Sequence, residues 1–450
     1  MAGNILIIIK RENINANIIL SAKYNYNHLE VEVMLSIKKG MVVLVVLAVL
    51  FSMSGTGFAQ DVSLEFQQWW GVELPEGELR DIVDGYTEET GIEIELLSNP
   101  YADTKDQISA GAATGTMADV VGLDGSWVYD FAVQGSIANL SKLMEADGYD
   151  DSQLSDQIRV NGSTYMIPVA NFAYPMFVNM DLLKEAGVTE LPKTRSEFIE
   201  AAEAVTENTD AYGWIIPLST STPSGIQNNF MGWLWASGGS MLENGRPNLV
   251  GNEKLIKTVE FQKTLFDKEL VSPGVYAMTE SDMVEEFANG RVAFMIDSLA
   301  HLTTLRRGDT DLNMAMMKVP TMDNYNGKSG IGVANWGIGV ASNTEYKAES
   351  MDFIEYLMSP EVNARIAVAA NAFPGNVNAE PEYEGADPLF LDAFEIYKDS
   401  YAINEFTGLP TSEQLMRVFA ENLQLYLEGD YDSADEMLAV IEDEWEKAFE

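Results

Sequence analysis

Cysteine is absent from all 450 residues. No disulfide framework, thiolate nucleophile or cysteine-based metal knuckle can form, and no cysteine is present to carry a bacterial lipid anchor. Histidine is nearly absent too, with only His28 and His301, which disfavours Ser-His-Asp and Cys-His catalysis and typical zinc sites. His301 falls on a helical pattern and reads as a structural or surface histidine. Positive charge is scarce: 27 Lys and Arg face 70 Asp and Glu, for a formal charge of −43. Such a surface repels nucleic acid and anionic membranes. It also repels itself, which salt screens, so a saline setting and ordinary solubility are equal explanations.

Long apolar runs are missing, apart from residues 41–51 in "MLSIKKGMVVLVVLAVLFSMSGTGFAQD". That run is short for a membrane span. Lys38 and Lys39 precede it and small residues ending at Ala59 follow, the order of a secretory signal peptide cleaved after Ala59. Residues 1–33 fit poorly ahead of such a signal, which makes Met34 the expected start. The leader carries five Lys/Arg and three Asp/Glu, so its removal leaves 22 basic and 67 acidic residues and a charge of −45. The exported protein is expected in the periplasm, free of a lipid tether.

Motifs for nucleotide chemistry fail on inspection. "GKSG" at 327–330 lacks the upstream glycine of a phosphate loop, since Met322 stands there. "GIGVAS" from Gly337 lacks dinucleotide spacing. Carboxylates are plentiful, but nothing singles out a glycosidase pair. No cofactor and no metal site is expected.

What is present is ordered α/β pattern: 46% of residues are hydrophobic and 10% aromatic. "VSLEFQQWW" reads as a strand, "EGELRDIVDGYTEETG" as a helix with Leu79, Ile82, Val83 and Tyr86 on one face, and "IEIELL" as the next strand. A further helix, "DTKDQISAGAATG", leads to the strand "ADVVGLD", which places Asp124 just past a strand end, where open α/β sheets bind ligands. Later segments alternate similarly, and the C-terminal third is mostly helical. With no low-complexity linker, two domains would exchange chain through strands.

Aromatics cluster beside polar residues at strand ends: Trp69 and Trp70, Trp127 after Asp124, Tyr174 in "NFAYP", Trp233 and Trp235 in "NNFMGWLWASGG", and Trp336 beside Asn335 in "VANWGIG". Sugars offer apolar C–H faces bounded by hydroxyls, so flat rings next to carboxylate or amide acceptors suit them.

In the order and spacing of "ISAGAATGTMADVVGLDGSWVYDFAVQGSIANLSKLM", "TYMIPVANFAYPMFVNMDLLKEAGV", "MVEEFANGRVAFMID" and "VANWGIGVASNTEYKAESMDFIEYLMSPE", the chain resembles the extracellular solute-binding proteins of family 1. These are the maltose-binding-protein-like, carbohydrate-binding components of ABC importers. The resemblance implies a two-lobe periplasmic binding protein fold of type II, with lobes joined by a multi-strand hinge and the ligand cleft between them. Mapped here, residues 61–172 with 318–372 form the N-lobe and residues 173–317 with 373–450 the C-lobe, with crossings near 170–175, 318–321 and after Phe373-Pro374. It also implies sugar contacts at Trp69 or Trp70, Asp124, Trp127, Tyr174, Trp233 and Trp336, with Asn335 as the neighbouring amide. Of the tryptophan pair, Trp70 is favoured for the cleft because it comes last before the Gly71 turn.

One segment departs from the family pattern. After the strand in "FMIDSLAHL" the family commonly has a glycine and then a tryptophan; here Asp297 and Ser298 follow instead, implying a polar contact through Asp297. The implied function is a non-enzymatic, monomeric receptor that captures a sugar or oligosaccharide and delivers it to membrane permease subunits. The alternatives are a receptor of the same fold for a polyamine, peptide or compatible solute, and a secreted carbohydrate-active enzyme.

Overall fold

The computed structural model describes residues 4–9, 18–25, 28–33, 62–307, 312–383 and 386–449. The chain divides into two units, residues 1–62 and 63–450. In the first, strands β1 (Asn4–Ile9), β2 (Ile18–Asn25) and β3 (His28–Val33) form an antiparallel sheet in that order. Ile7 pairs with Leu20, and Ala22 with Val31. The expected signal segment, residues 34–59, lies outside the described residues.

The second unit opens with β4 (Ser63–Gln68), which runs parallel to β5 (Glu93–Ser98) with Leu64 opposite Ile94. The connecting helix, Glu78–Thr90, buries Leu79, Ile82, Val83 and Tyr86, the i, i+3, i+4, i+7 face that the sequence spacing demands. Gly91 ends it at φ 77°, a conformation open to glycine without a Cβ penalty. Helix Tyr101–Thr114 then leads to β6 (Val120–Leu123), parallel to the other edge of β4.

Next come β7 (Ile158–Val160), β8 (Ser163–Tyr174) and β9 (Met176–Asn179). They are followed by β10 (Tyr212–Trp214), the short ribbon β11 (Leu242–Glu243) with β12 (Arg246–Pro247), β13 (Val292–Ile296) and β14 (Met314–Met317). The last strands are β15 (Gly330–Val340), β16 (Phe373–Pro374) and β17 (Tyr401–Ile403).

Two sheets organise these strands. The larger has the order β16-β8-β15-β6-β4-β5, with β17 added to β15 and β7 to β8; the smaller has the order β10-β13-β9-β14. The chain leaves the larger sheet between Tyr174 and Met176, where Pro175 supplies only an acceptor, taken by the Asp297 amide at 3.3 Å. It returns between Met317 and Gly330, and β16 then pairs with β8, Phe373 opposite Asn171.

β8 and β15 are antiparallel, and the register shifts between Trp336 and Gly337. A Cβ on Gly337 would meet the Met166 side chain at 2.3 Å. Glycine at this irregularity therefore lets Met166 close against the strand that carries Trp336.

One element differs from the sequence reading. The first strand stops at Gln68, and Trp70 opens a helical turn, Trp70–Glu73. Gln68 is the reason: its Oε1 accepts the Gly71 amide at 2.8 Å and its Nε2 donates to Ser98 Oγ at 2.7 Å, which turns the chain inward. Residues 226–236 are not one regular helix, since a π-turn at Ile226–Phe230 precedes Met231–Ala236. The core around the smaller sheet is aromatic, with Phe177, Phe198, Trp214, Trp233 and Phe294 fully buried. Full burial of each such ring contributes on the order of 2–3 kcal/mol.

Candidate functional site

Four of the expected aromatic residues meet in one chain of rings. Trp70 stacks on Trp336 at 5.6 Å and meets Trp69 edge-on at 6.4 Å. Trp69 continues to Tyr101 at 5.2 Å and Trp127 at 5.6 Å, and Tyr101 lies 5.0 Å from Trp127. The elements that hold them are the ends of β4 and β6, the start of helix Tyr101–Thr114 and the middle of β15.

All four tryptophans are buried, whereas Tyr101 is 41% exposed. Tyr101 is thus the ring that this group presents. Of the tryptophan pair, Trp70 is the one closed off, between Phe66 and Trp336, with its Nε1 unpaired. Trp69 backs Tyr101 instead, so the preference for Trp70 as the cleft residue does not match the packing.

Carboxylates surround this group. Asp124 Oδ1 accepts from the amide and the hydroxyl of Ser126 at 2.8 and 2.6 Å, a turn that fixes it just past β6. Burial and the adjacent Asp124 carboxylate hold the Tyr101 phenol well above its ordinary range. Glu73 ends the helical turn that Trp70 begins. Burial pushes it up to about 7, against the opposing pull of His301 and a hydrogen bond with Trp336. Glu73 and Tyr101 are both exposed, yet burial dominates both shifts. Side chains that water reaches but protein surrounds line a recess, not a convex face.

From the segment after β13 come Asp297 and His301. Asp297 is fully buried, and its Oδ2 lies 2.9 Å from His301 Nδ1. Burial alone would lower His301; the Asp297 carboxylate, with Glu280 and Glu73, overrides it and holds the imidazole up to about 10. Glu280 begins helix Glu280–Ala288 behind its Thr279 cap, and burial and the Asp297 charge push it up to about 7. Tyr174, at the end of β8, is buried beside Ser298 and kept neutral by burial and by the Glu280 and Asp297 carboxylates.

Two expected residues stand elsewhere or are otherwise engaged. Trp233 is fully buried against Phe261 at 4.6 Å, Phe198 at 4.9 Å and Trp214 at 5.3 Å, and its carbonyl accepts from buried Arg195 at 2.7 Å. It is a core residue because its helix buries every position from Met231 to Ala236. Asn335 pairs with Asn171 across β15 and β8, its Nδ2 donating to Asn171 Oδ1 at 2.6 Å, while Asn171 Nδ2 reaches Pro374 O at 3.2 Å. This amide ladder ties together the three strands at the crossings.

Sequence reasoning missed Tyr101, Glu73 and Glu280, and it read His301 as structural or surface. In a chain with 70 acidic residues, neither glutamate carries a distinguishing signal. The Asp297-to-His301 spacing of four could have flagged that pair, because such neighbours share a face in a helical turn.

Comparison with known proteins supplies the setting. The family model for bacterial extracellular solute-binding proteins matches residues 73–364. The diacetylchitobiose binding protein DasA of Streptomyces coelicolor is 21% identical over 314 residues, covering 68% of this chain and 71% of its own. A maltooligosaccharide ABC transporter solute-binding lipoprotein of Streptococcus pneumoniae is 22% identical over 334 residues, covering 72% and 75%. Among solved structures, the GacH receptor of Streptomyces glaucescens, studied unliganded and with acarbose, superposes with a TM-score of 0.69 at 21% identity, over 86% of this chain and 98% of its own. The fold is therefore that of the type II binding proteins. No helix among the described residues is long and apolar enough to cross a membrane.

Proposed function

Because the chain belongs to the bacterial extracellular solute-binding proteins, we propose that it is the receptor of an ABC importer, taking a sugar or oligosaccharide between two lobes and handing it to membrane permease subunits. The observation that carries the sugar reading is the Tyr101 ring, half-exposed on its Trp69 and Trp127 backing, beside the Asp124 and Glu73 carboxylates. The ring offers a face to sugar C–H groups, and the carboxylates accept from hydroxyls.

In this reading the larger sheet, apart from β16 and β17 which join it from the residues 373–450 segment, marks the lobe of residues 61–172 and 318–372, and the smaller sheet that of residues 173–317 and 373–450. Ligand contacts come from Tyr101, backed by Trp69 and Trp127, and from Asp124 on one side and from Tyr174 on the other, with Trp336 beneath, next to Glu73. Contacts to both lobes favour the closed form, so binding shifts the population that the importer recognises. A micromolar ligand corresponds to about 8 kcal/mol in total, within reach of a few stacked rings and shared hydrogen bonds. The ligand leaves chemically unchanged, and the protein works as a monomer in the periplasm without a lipidated cysteine.

The test is a thermal-shift and calorimetric screen of the purified protein against maltooligosaccharides, chitooligosaccharides, other sugars and polyamines at two salt concentrations. A ligand that binds only the native state raises Tm. A shift with one sugar class that persists at high salt supports the receptor. Shifts with cations alone, fading as salt rises, overturn the sugar reading in favour of a cationic solute. Release of reducing ends from an oligosaccharide would instead mark an enzyme.

A further inference from the structure

Glu280, Asp297 and His301 each place a potential metal-binding atom within 4.8 Å of the other two, and among the described residues this is the one such grouping. The three come from separate turns: Glu280 from the first position of a helix, Asp297 from just past β13, and His301 from the 3-10 turn Leu299–His301.

Their hydrogen bonding is incomplete in an informative way. Asp297 is fully buried, and only its Oδ2 is engaged, by His301; Asp297 Oδ1 and Glu280 Oε1 are buried with no hydrogen-bond partner. Ionised carboxylates are acceptors only, so these two cannot satisfy each other. Leaving them desolvated and unpaired is costly. Glu73 adds a third carboxylate acting on the same imidazole. A metal ion that displaced the imidazole proton would take oxygen and nitrogen ligands together and engage the unpartnered carboxylate oxygens.

We propose that Glu280, Asp297 and His301 bind a divalent transition-metal ion, zinc or manganese, in the wall of the recess. Two carboxylates and one imidazole suit a borderline or moderately hard ion, while calcium and magnesium favour all-oxygen shells. Three protein ligands leave at least one coordination position open. The competing occupants are protons, one on the His301 imidazole paired with Asp297 and one shared by Glu280 and Asp297; a metal ion displaces both and gives the two carboxylates and the ring nitrogen one common partner. The site does not depend on the sugar reading, and it is tested without sugar.

The experiment strips the purified full chain with a chelator, removes the chelator, and titrates it with zinc, manganese, calcium and magnesium at moderate salt. Uptake is followed by calorimetry and Tm. The expected result is one tight equivalent of zinc or manganese, a Tm rise of a few degrees, and weak or no response to calcium and magnesium. Asp297→Asn and Glu280→Gln keep the side-chain shapes and remove buried charge, so both should fold and both should lose the tight equivalent. His301→Gln should weaken it at least about tenfold. Binding of Co²⁺ should give a visible absorption spectrum that His301→Gln alters. The proposal is overturned if no stoichiometric equivalent binds, or if uptake is the same in all three variants, which would mark adventitious ions on surface carboxylates only. It is equally overturned if Tm follows pH alone, with no metal response.

Discussion

The indole planes of Trp70 and Trp336 are inclined by 9° with centroids 5.6 Å apart. The stack joins the first turn after β4 to the middle of β15, and Phe172 on β8 closes the other side of Trp336 at 4.9 Å. A ring packed against two others, and buried, is a structural part whatever it contributes to binding. Trp336→Ala should therefore destabilise the fold by about 3–5 kcal/mol and also lower ligand affinity. Urea unfolding checks the first effect; calorimetry well below the variant's Tm checks the second.

Tyr101 is the opposite case, since nearly half of it is exposed. Tyr101→Ala should leave Tm nearly unchanged and weaken sugar binding by about tenfold or more, as expected for the loss of a stacking face. Tyr101→Phe should retain most of the affinity if stacking dominates. A large loss in the phenylalanine variant would instead assign the contact to the hydroxyl near Asp124.

The Lys105 ammonium forms an ion pair with Glu413, and the Thr411 amide reaches Asp130 Oδ1 at 3.3 Å. Under the proposed lobe assignment both contacts cross between lobes and hold the closed form. Lys105→Met should shift the population toward open and raise the sugar Kd by about 2- to 5-fold, the range of a partly exposed ion pair. The wild-type Kd should rise with salt while that of Lys105→Met stays flatter. Small-angle scattering of the unliganded variant would show the accompanying expansion.

Glu355 sits against Asp147, with burial and that neighbouring carboxylate pushing it from 4.5 up to about 7. Its pKa is higher in the folded state, so its contribution to stability is complete below about 4.5. That contribution is lost as pH rises through about 7. Between these limits the wild-type Tm should fall with pH more steeply than that of Glu355→Gln, which keeps the shape and cannot ionise. Parallel Tm profiles for the two proteins would show that Glu355 carries no such linkage.

Gly375 follows β16, and a Cβ there would lie 1.9 Å from the Pro168 carbonyl oxygen. Backbone cannot give way as a side chain does, so Gly375→Ala should destabilise by about 2–3 kcal/mol. Gly85→Ala, where the nearest atom is the Tyr356 hydroxyl at 2.5 Å, should cost less because that phenol can swing aside. Chemical denaturation of the two variants side by side checks the ranking.

Much of the architecture was legible in the chain. The buried face of helix Glu78–Thr90, its Gly91 stop and the strands on either side follow from local periodicity and backbone freedom, which need no distant partner. Other elements were not readable. β10 has three residues, and it is a strand only because β13 pairs with it, Trp214 opposite Phe294. β17 exists through β15 in the same way.

The candidate site divides along the same line. Residue types alone determined that this chain, without cysteine and with two histidines in 450 residues, is poorly furnished for cysteine- or histidine-dependent catalysis. They also determined that aromatics and carboxylates gather near strand ends. Tertiary structure decided where each of them stands: Trp233 fell into the core, Trp70 was sealed by Trp336, and Tyr101, Glu73, Glu280 and His301 were drawn to the recess. The reason is physical. Periodicity along a chain records which face of an element is apolar, whereas the neighbours that a side chain meets across 200 residues are set by how separate elements pack, and local sequence carries no record of that.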